Sequence, residues 1–371
     1  MSFQLTVDDI PDLALGAAVL GTGGGGDPLI GRLLVEECIR SGKTIEVVGP
    51  EELDDEDFVV STAMMGAPSV VVEKIPAGGE VVTSLRALEQ RTGRKADATI
   101  PMECGGLNSM IPLVAAAEAG IPVVDGDGMG RAFPELQMET FGVYGVSGSP
   151  LAVSDEQGHH CIVDTGADNV RMENFARAVT IRMGGAAYIA EYPMSGADVK
   201  RTAIPHTLTL ALEIGRTVRK AREAHLDPFD ELAAFLSNTI YGFGTVLAKG
   251  KIIDVERAVR DGFTAGRTTI TEFGDAGDTF EIHFRNENVI AYRNGQTVAI
   301  VPDLITVFDV DTGVPINTEA LRFGQRVAVF GISTPAIMRT PEALAVFGPH
   351  AFGLDEDWTP LEELHAPASR S

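Results

Sequence analysis

Residues 124–137 read VDGDGMGRAFPELQ, and this stretch decides how the rest of the chain is interpreted. Ile121 to Val124 has the apolar character of a buried strand, and two aspartates, three glycines, an arginine and a glutamate follow it. Glycine lets the main chain approach a ligand closely, and carboxylates and a guanidinium supply acid, base or anion-binding groups. The stretch therefore predicts a functional loop at the end of a strand. The alternative is a solvated acidic loop followed by a helix that begins at Pro134.

Strand and helix patterns alternate on the N-terminal side of this loop. Apolar runs typical of strands end near residues 48, 63, 102 and 124, and helical patterns lie between them. Such alternation predicts an α/β fold in which a mainly parallel N-terminal sheet is flanked by helices. Beyond Tyr241 the runs become short, and the Asn294-Gly295 pair is a strong hairpin signal, so we expect a C-terminal β-rich domain.

The same patterns divide the chain into four regions. Residues 1–165 are expected to form the α/β domain with a glycine loop and a strand-end site, and residues 166–240 its helical continuation. Residues 241–335 are expected to form the β-rich domain, and residues 336–371 a peripheral C-terminal segment. In the second region, residues 192–196 (YPMSG) predict a turn that could close over a cleft.

Composition narrows the function. The chain has 371 residues, 44% of them hydrophobic, and a formal charge of -24, which argues against a nucleic acid partner because phosphate contacts need clustered Lys and Arg. We find no long uncharged apolar run and no basic segment before an apolar core at the N-terminus, so we expect a cytoplasmic protein that does not enter membranes. Its three cysteines are widely spaced and form neither a disulfide framework nor a zinc pattern.

A glycine-rich segment follows the first predicted helix, and its residues are Thr22, Gly23, Gly24, Gly25 and Gly26. It resembles a dinucleotide fingerprint, but that fingerprint requires a strand before the glycines, whereas a helix is predicted here. We therefore expect no nucleotide. The glycine amides, together with the start of the helix that Asp27 caps, are expected to face an anionic or carbonyl-bearing small molecule.

Polar or glycine residues also follow the other predicted strands. Ligands in parallel sheets sit at the carboxyl ends of the strands, so these segments are expected to converge on one cleft. The substrate-binding candidates are the glycine segment, Met65, Gly66, Cys104, Gly105, Gly106, Asn108, Arg131 and Glu135; the catalytic candidates are Glu103, Asp125 and Asp127.

Several motifs stand in one order along nearly the whole chain: Leu20 to Pro28, Met65 to Pro68, Glu103 to Asn108, Val124 to Gln137, Asn286 to Asn288 and Pro302 to Ile305. Together they resemble the S-methyl thiohydantoin desulfurase-like family, formerly an uncharacterised family found beside hydantoin-utilisation enzymes. The resemblance implies an N-terminal α/β domain, a C-terminal β-rich domain and hydrolytic chemistry on a thiohydantoin-type ring. It also admits a divalent metal, with zinc as the first choice.

The three acids have alternative roles. Glu103 is the preferred general base, because a carboxylate can take the proton of an attacking water, but it could instead cap the helix that follows. Asp125 and Asp127 could bind the metal that activates water, or could fix their loop by accepting its amides. With Cys104 and His206 they would form a mixed ligand set compatible with zinc.

Arg131, Asn108 and Cys104 also have two interpretations each. Arg131 could pair with a substrate carboxylate or with Glu135 four residues later. Asn108 could orient the ring of the substrate or act as a local cap. Cys104 could be a nucleophile, although a lone cysteine is more often a small buried hydrophobe.

These observations favour a hydrolase-like enzyme of heterocycle catabolism that desulfurates or hydrolyses a thiohydantoin or hydantoin ring. An enzyme that opens a hydantoin ring without touching sulfur is the competing interpretation. A noncatalytic ligand-binding or regulatory protein that uses the same cleft is the alternative from another class. The partner is a small-molecule substrate in the first two cases, and the sequence leaves a homo-oligomer open.

Overall fold

The computed structural model describes residues 2–66, 70, 78–260, 263–274 and 277–366. Ala67 and Pro68, which belong to one of the strand-end motifs, lie outside the described residues. The strands are β1 Phe3–Gln4, β2 Glu46–Val48, β3 Phe58–Gly66, β4 Ala98–Pro101, β5 Val123–Val124, β6 Gly126–Asp127, β7 Leu151–Ser154, β8 His160–Val163, β9 Ala186–Ser195, β10 Ile204–Pro205, β11 Gly244–Arg260, β12 Phe263–Glu272, β13 Thr279–Arg285, β14 Glu287–Arg293, β15 Gln296–Ile300, β16 Leu304–Asp309 and β17 Arg326–Ile332.

The helices lie mainly in the first two thirds of the chain. Within the described ranges, no helix is both long enough and apolar enough to cross a membrane. The α-helices are α1 Ile10–Leu20, α2 Pro28–Arg40, α3 Glu80–Thr92, α4 Ile111–Ala119, α5 Thr140–Val143, α6 Asn169–Arg182, α7 Gly196–Thr202, α8 Thr207–Glu223, α9 Pro228–Leu236, α10 Pro341–Phe347 and α11 Leu361–Leu364.

The first sheet has eight strands in the order β1-β2-β5-β4-β3-β9-β7-β8. Strands β2, β5, β4 and β3 are parallel, whereas β1 and the β9-β7-β8 group join antiparallel. This confirms the predicted α/β fold with a mainly parallel core. Because β3, β4 and β5 run in one direction, the segments that follow Gly66, Pro101 and Val124 leave the sheet at the same edge.

The second sheet has seven antiparallel strands in the order β15-β14-β13-β12-β11-β17-β16. It confirms the predicted C-terminal β-rich domain. Asn294 and Gly295 form the turn between β14 and β15 and have φ angles of 50° and 80°, the left-handed conformation that this residue pair tolerates.

The turn predicted for residues 192–196 is wrong, because β9 continues to Ser195 and α7 begins at Gly196. Ser195 pairs with Phe58 of β3, and the side chains of Tyr192 and Met194 are buried. Pro193 lies where the register between β9 and β3 shifts, at a bulge in which the missing amide of proline breaks no ladder bond. A proline that signals a turn in the sequence is thus accommodated within a strand.

Part of the C-terminal segment is buried, although we expected residues 336–371 to be peripheral. Phe347 of α10 and Leu361 of α11 are both 0% exposed. The ring of Phe347 stacks on Phe133 with the ring centroids 5.0 Å apart. The segment therefore supports the loop that follows β6.

Helices α1 and α8 approach each other closely enough for their backbones to touch. A Cβ atom added at Gly16 would lie 1.7 Å from the carbonyl oxygen of Ala211, and one added at Gly215 would lie 1.8 Å from the carbonyl oxygen of Asp12. Backbone atoms of two packed helices cannot move aside as a flexible side chain can. This contact holds α1, and with it the start of the glycine segment, against α8.

We predict that Gly215→Ala lowers the free energy of unfolding by about 2 kcal/mol or more, because overpacking against a fixed backbone forces the helices apart. Urea unfolding followed by circular dichroism measures the change. Thr217→Ala, at a partly exposed position of the same helix, is the control and should leave stability within about 0.5 kcal/mol. Equal stability of the two variants would contradict the close helix contact.

Candidate active site

A cavity of about 60 Å³ lies at the shared edge of the strands, and we call it the first cavity. It is smaller than the roughly 300 to 1,000 Å³ that is usual for ligand pockets, so at most a part of a small molecule fits inside it. Its walls come from the glycine segment, the end of β3, the turn after β4, the loop after β6, α6 and the start of β14. The lining residues are Gly25, Gly26, Met64, Met65, Gly66, Met102, Glu103, Asn108, Phe133, Pro134, Glu135, Leu136, Arg177, Asn286 and Glu287.

Glu103 is buried in the wall of the first cavity. Asn108 Nδ2 donates to its Oε1 at 2.9 Å, and the amide of Phe133 donates to its Oε2 at 3.3 Å. These partners are not the amides of the helix that follows, so the capping alternative is wrong. Burial raises the pKa of Glu103 well above its usual value, and the nearby Glu287 and Asp127 raise it further. Burial therefore favours the protonated form of this carboxyl.

Asn108 positions Glu103. Its Oδ1 accepts from the amide of Met64 at 2.8 Å, and its Nδ2 donates to the carbonyl of Met64 at 3.2 Å as well as to Glu103. The amide group thus joins the end of β3 to the acid. Because both Nδ2 protons are used within the protein, the idea that Asn108 orients a substrate directly is not supported by this geometry.

Glu287 is the second buried acid of the first cavity, and the sequence analysis gave it no role. Its Oε1 accepts from the amide of Gly25 at 3.3 Å, whereas its buried Oε2 has no partner among the described residues. Burial raises its pKa to about 7, with the Arg131 guanidinium acting in the opposite direction. A Cβ atom at Gly24 would lie 2.1 Å from Glu287 Oε1, so glycine is required there.

Asp127 fixes the loop rather than facing the first cavity. Its Oδ2 accepts from the amides of Cys104 at 2.8 Å, Gly130 at 2.8 Å and Met129 at 3.4 Å. Burial raises its pKa to about 6, and these amides oppose the shift. The bond to the amide of Cys104 brings Asp127 next to Glu103, as expected from the parallel strands. The contacts of Asp127 match the loop-fixing interpretation.

Asp125 has a similar structural role on the other side of the loop. It accepts from the amide of Thr209 at 3.0 Å, from Thr209 Oγ1 at 2.6 Å and from His206 Nδ1 at 3.3 Å. These bonds tie β6 to the first turn of α8. Neither Asp125 nor Asp127 lines the first cavity.

The proposed mixed zinc set does not assemble. Cys104 is buried and its thiol lies 3.0 Å from Thr207 Oγ1, and burial raises its pKa well above the usual value, which also argues against a nucleophilic thiolate. His206 contacts Asp125 and, at 3.6 Å, Glu51. Within the described part of the chain, no three His, Cys, Asp or Glu side chains are grouped so that they could hold a metal ion. These residues do not fit zinc at this position.

Arg131 is fully buried and binds the protein itself. Its guanidinium donates to Thr22 Oγ1 at 2.8 Å and to the carbonyls of Asn288 at 3.0 Å and Asp303 at 2.9 Å. Burial lowers its pKa to about 10, so it stays charged at neutral pH. Both predicted roles are wrong: Arg131 is not exposed to a substrate, and Glu135 pairs instead with Arg285 at 2.9 Å.

Arg177 is another lining residue that the sequence analysis missed. It lies on α6, pairs with Glu173, and donates through Nη2 to the carbonyl of Pro134 at 2.9 Å. Its guanidinium also lies 4.9 Å from the ring centroid of Phe263. An arginine on a predicted helix carries no local signal of such a role, because its partners come from distant segments.

The fold and the site define a two-domain α/β and β protein with a pair of buried carboxyl groups at one small cavity. The chain belongs to the S-Me-THD-like family, whose N-terminal domain matches residues 8–165 and whose C-terminal domain matches residues 167–361. This confirms the family resemblance. No curated protein matches the chain. A crystal structure of a protein from Chromobacterium violaceum has the same fold, with a TM-score of 0.82 and 23% identity over 97% of this chain and 100% of that chain.

We predict that Glu287 makes stability depend on pH. Its folded pKa of about 7 lies above the usual 4.5, so the stabilisation is fully present below about pH 4.5 and is lost as the pH rises through 7. Glu287→Gln should reduce the fall in unfolding free energy between pH 4.5 and 8 by on the order of 3 kcal/mol.

Urea unfolding at several pH values tests this prediction. Asp127 and Asp303, whose pKa values are raised to about 6, contribute to the same trend, so the difference between wild type and variant isolates Glu287. Glu342→Gln, an exposed acid on α10, is the control. Parallel pH profiles for wild type and Glu287→Gln would show that Glu287 is not held neutral by the fold.

Proposed function

We propose that the protein is an enzyme of thiohydantoin metabolism that hydrolyses a thiohydantoin-type ring in the first cavity. Membership of the S-Me-THD-like family supports this class of substrate. One observation carries the proposal: Glu103 and Glu287 are both buried at the same cavity, and both have raised pKa values. Paired titratable groups with shifted pKa values, in a cavity, are typical of acid and base catalysis.

The two acids are assigned different roles. Glu287 has an oxygen without a partner and a pKa of about 7, so a substantial fraction is ionised at neutral pH and can take a proton from water. Burial and the neighbouring Glu287 and Asp127 raise the pKa of Glu103 and favour its protonated form, so we assign it the role of proton donor to the substrate. Asn108 holds Glu103 in place and acts as a positioning residue.

The reaction is balanced for an S-methyl thiohydantoin. Glu287 takes one proton of the water as its oxygen bonds to the ring carbon that carries sulfur, and Glu103 protonates the ring nitrogen. The carbon–sulfur bond then breaks, and the proton taken by Glu287 leaves with the sulfur as methanethiol. Loss of the second water proton from the hydroxyl group to Glu103 gives the ring carbonyl and restores the protonated acid, and the proton added to nitrogen remains as the ring N–H. The net change is ring plus water to hydantoin plus thiol.

We predict that Glu287→Gln and Glu103→Gln each lower kcat at least about 100-fold, because each removes one proton-transfer group. Thiol release from an S-methyl thiohydantoin, followed with a thiol-reactive dye, measures the rate. Thermal melting checks that both variants are folded, and Glu342→Gln is the active control.

The same assay separates the competing functions. Opening of plain hydantoins without thiol release would indicate that the enzyme hydrolyses the ring and does not desulfurate it. Thermal stabilisation by a thiohydantoin without any turnover would instead indicate a ligand-binding protein. Folded variants with wild-type rates would remove Glu103 and Glu287 from the mechanism.

A further inference from the structure

Glu139 and Glu191 form a second group of buried acids, apart from the first cavity, and we call it the buried acid pair. Glu139 precedes α5 and Glu191 lies in β9, and both side chains are 0% exposed. The two carboxyl groups are close enough to interact with each other. Apart from this mutual contact, none of their four oxygens has a hydrogen-bond partner in the described part of the chain.

Two residues next to the buried acid pair carry buried hydroxyl groups. Ser61 Oγ and Thr140 Oγ1 also have no hydrogen-bond partner among the described residues, and both residues are 0% exposed. Ser61 of β3 is paired directly with Glu191 of β9, so the two side chains point to the same face of the sheet. Thr140 is the neighbour of Glu139 in the chain.

Such a group of atoms requires an explanation, because buried polar atoms in folded proteins are nearly always bonded. A carboxyl group without donors is strongly unfavourable in the interior. Protonation of both acids would let them bond to each other, but it would leave the hydroxyl groups of Ser61 and Thr140 unpaired. A bound cation gives a partner to both kinds of oxygen.

We propose that the buried acid pair, with the hydroxyl groups of Ser61 and Thr140, is the site of a hard divalent cation such as Ca²⁺ or Mg²⁺. Carboxylate and hydroxyl oxygens suit these ions, whereas structural zinc sites are rich in nitrogen and sulfur ligands. Two carboxylates balance the charge of one divalent ion. With only two acids the protein set is incomplete, so bound water supplies the remaining ligands.

The cation would connect the sheet to the wall of the first cavity. A Cβ atom built on Gly128 would lie 2.8 Å from Glu139 Oε2, so the carboxyl of Glu139 touches the loop that follows β6. Phe133 and Leu136 of this loop line the first cavity. Glu191 and Ser61 belong to β9 and β3. The site therefore ties the loop to the two strands and is structural rather than catalytic.

Metal analysis and thermal melting test the proposal on the full-length protein. Wild type purified without chelator should contain about one Ca²⁺ or Mg²⁺ per chain by elemental analysis. Dialysis against a chelator should lower the melting temperature by several degrees, and millimolar Ca²⁺ or Mg²⁺ should restore it. Glu191→Gln should lose the ion and the response to chelator. Glu89→Gln is the control, because Glu89 is a buried acid with its own partners, Arg86 and Lys95, and should keep the ion.

Two outcomes would overturn the proposal. Wild type with no stoichiometric divalent ion, and with a melting temperature that neither chelator nor added cation changes, would show that the buried acid pair holds no cation. An ion that Glu191→Gln retains must be held elsewhere. If Glu191→Gln does not fold, a wild-type melting temperature that is unaffected by chelator and by added cation still decides against the site.

Discussion

The buried guanidinium of Arg131 is the interaction on which the site depends. It joins Thr22 at the start of the glycine segment to the carbonyl of Asn288 in β14 and to that of Asp303 before β16, so it connects the first domain to two strands of the second sheet. It also lies 4.9 Å from the ring centroid of Phe133, whose amide donates to Glu103. One residue thus locates both walls of the first cavity. Its charge also favours the ionised forms of Glu103 and Glu287, which otherwise repel each other.

Much of the fold could be predicted from the sequence because its signals are local. Asp27 caps α2 by accepting from the amide of Leu29 at 2.9 Å, and Pro28 occupies the first turn, as the sequence pattern indicates. The meeting of Glu103 with Asp127 also follows from a simple rule, since parallel strands end at one edge. These features depend on residues a few positions apart or on the direction of neighbouring strands.

The rest of the site could not be predicted, because its partners come from distant segments. Arg131 has Glu135 at the spacing of a helical ion pair, but in the structure it binds the hydroxyl of Thr22 and two carbonyl groups of the second domain. Glu287 reaches the first cavity from β14, and nothing in its local sequence marks it as buried. Asn286 before it has φ 59°, and Gly24 must lack a side chain to admit its carboxyl. These requirements appear only once the glycine segment and β14 are in contact.

Several acids are buried around the first cavity because their carboxyl oxygens fix the neighbouring loops. Asp127 and Asp125 use their oxygens to hold backbone amides and the start of α8, and Asn108 holds Glu103 against the end of β3. At the first cavity, Glu287 Oε2 has no hydrogen-bond partner among the described residues. Burial alone would be better served by apolar side chains, because an unpaired polar atom destabilises the interior. A carboxyl oxygen without a partner at a cavity is what a proton-transfer group requires. The rigid surroundings then hold that oxygen in one position before any ligand arrives.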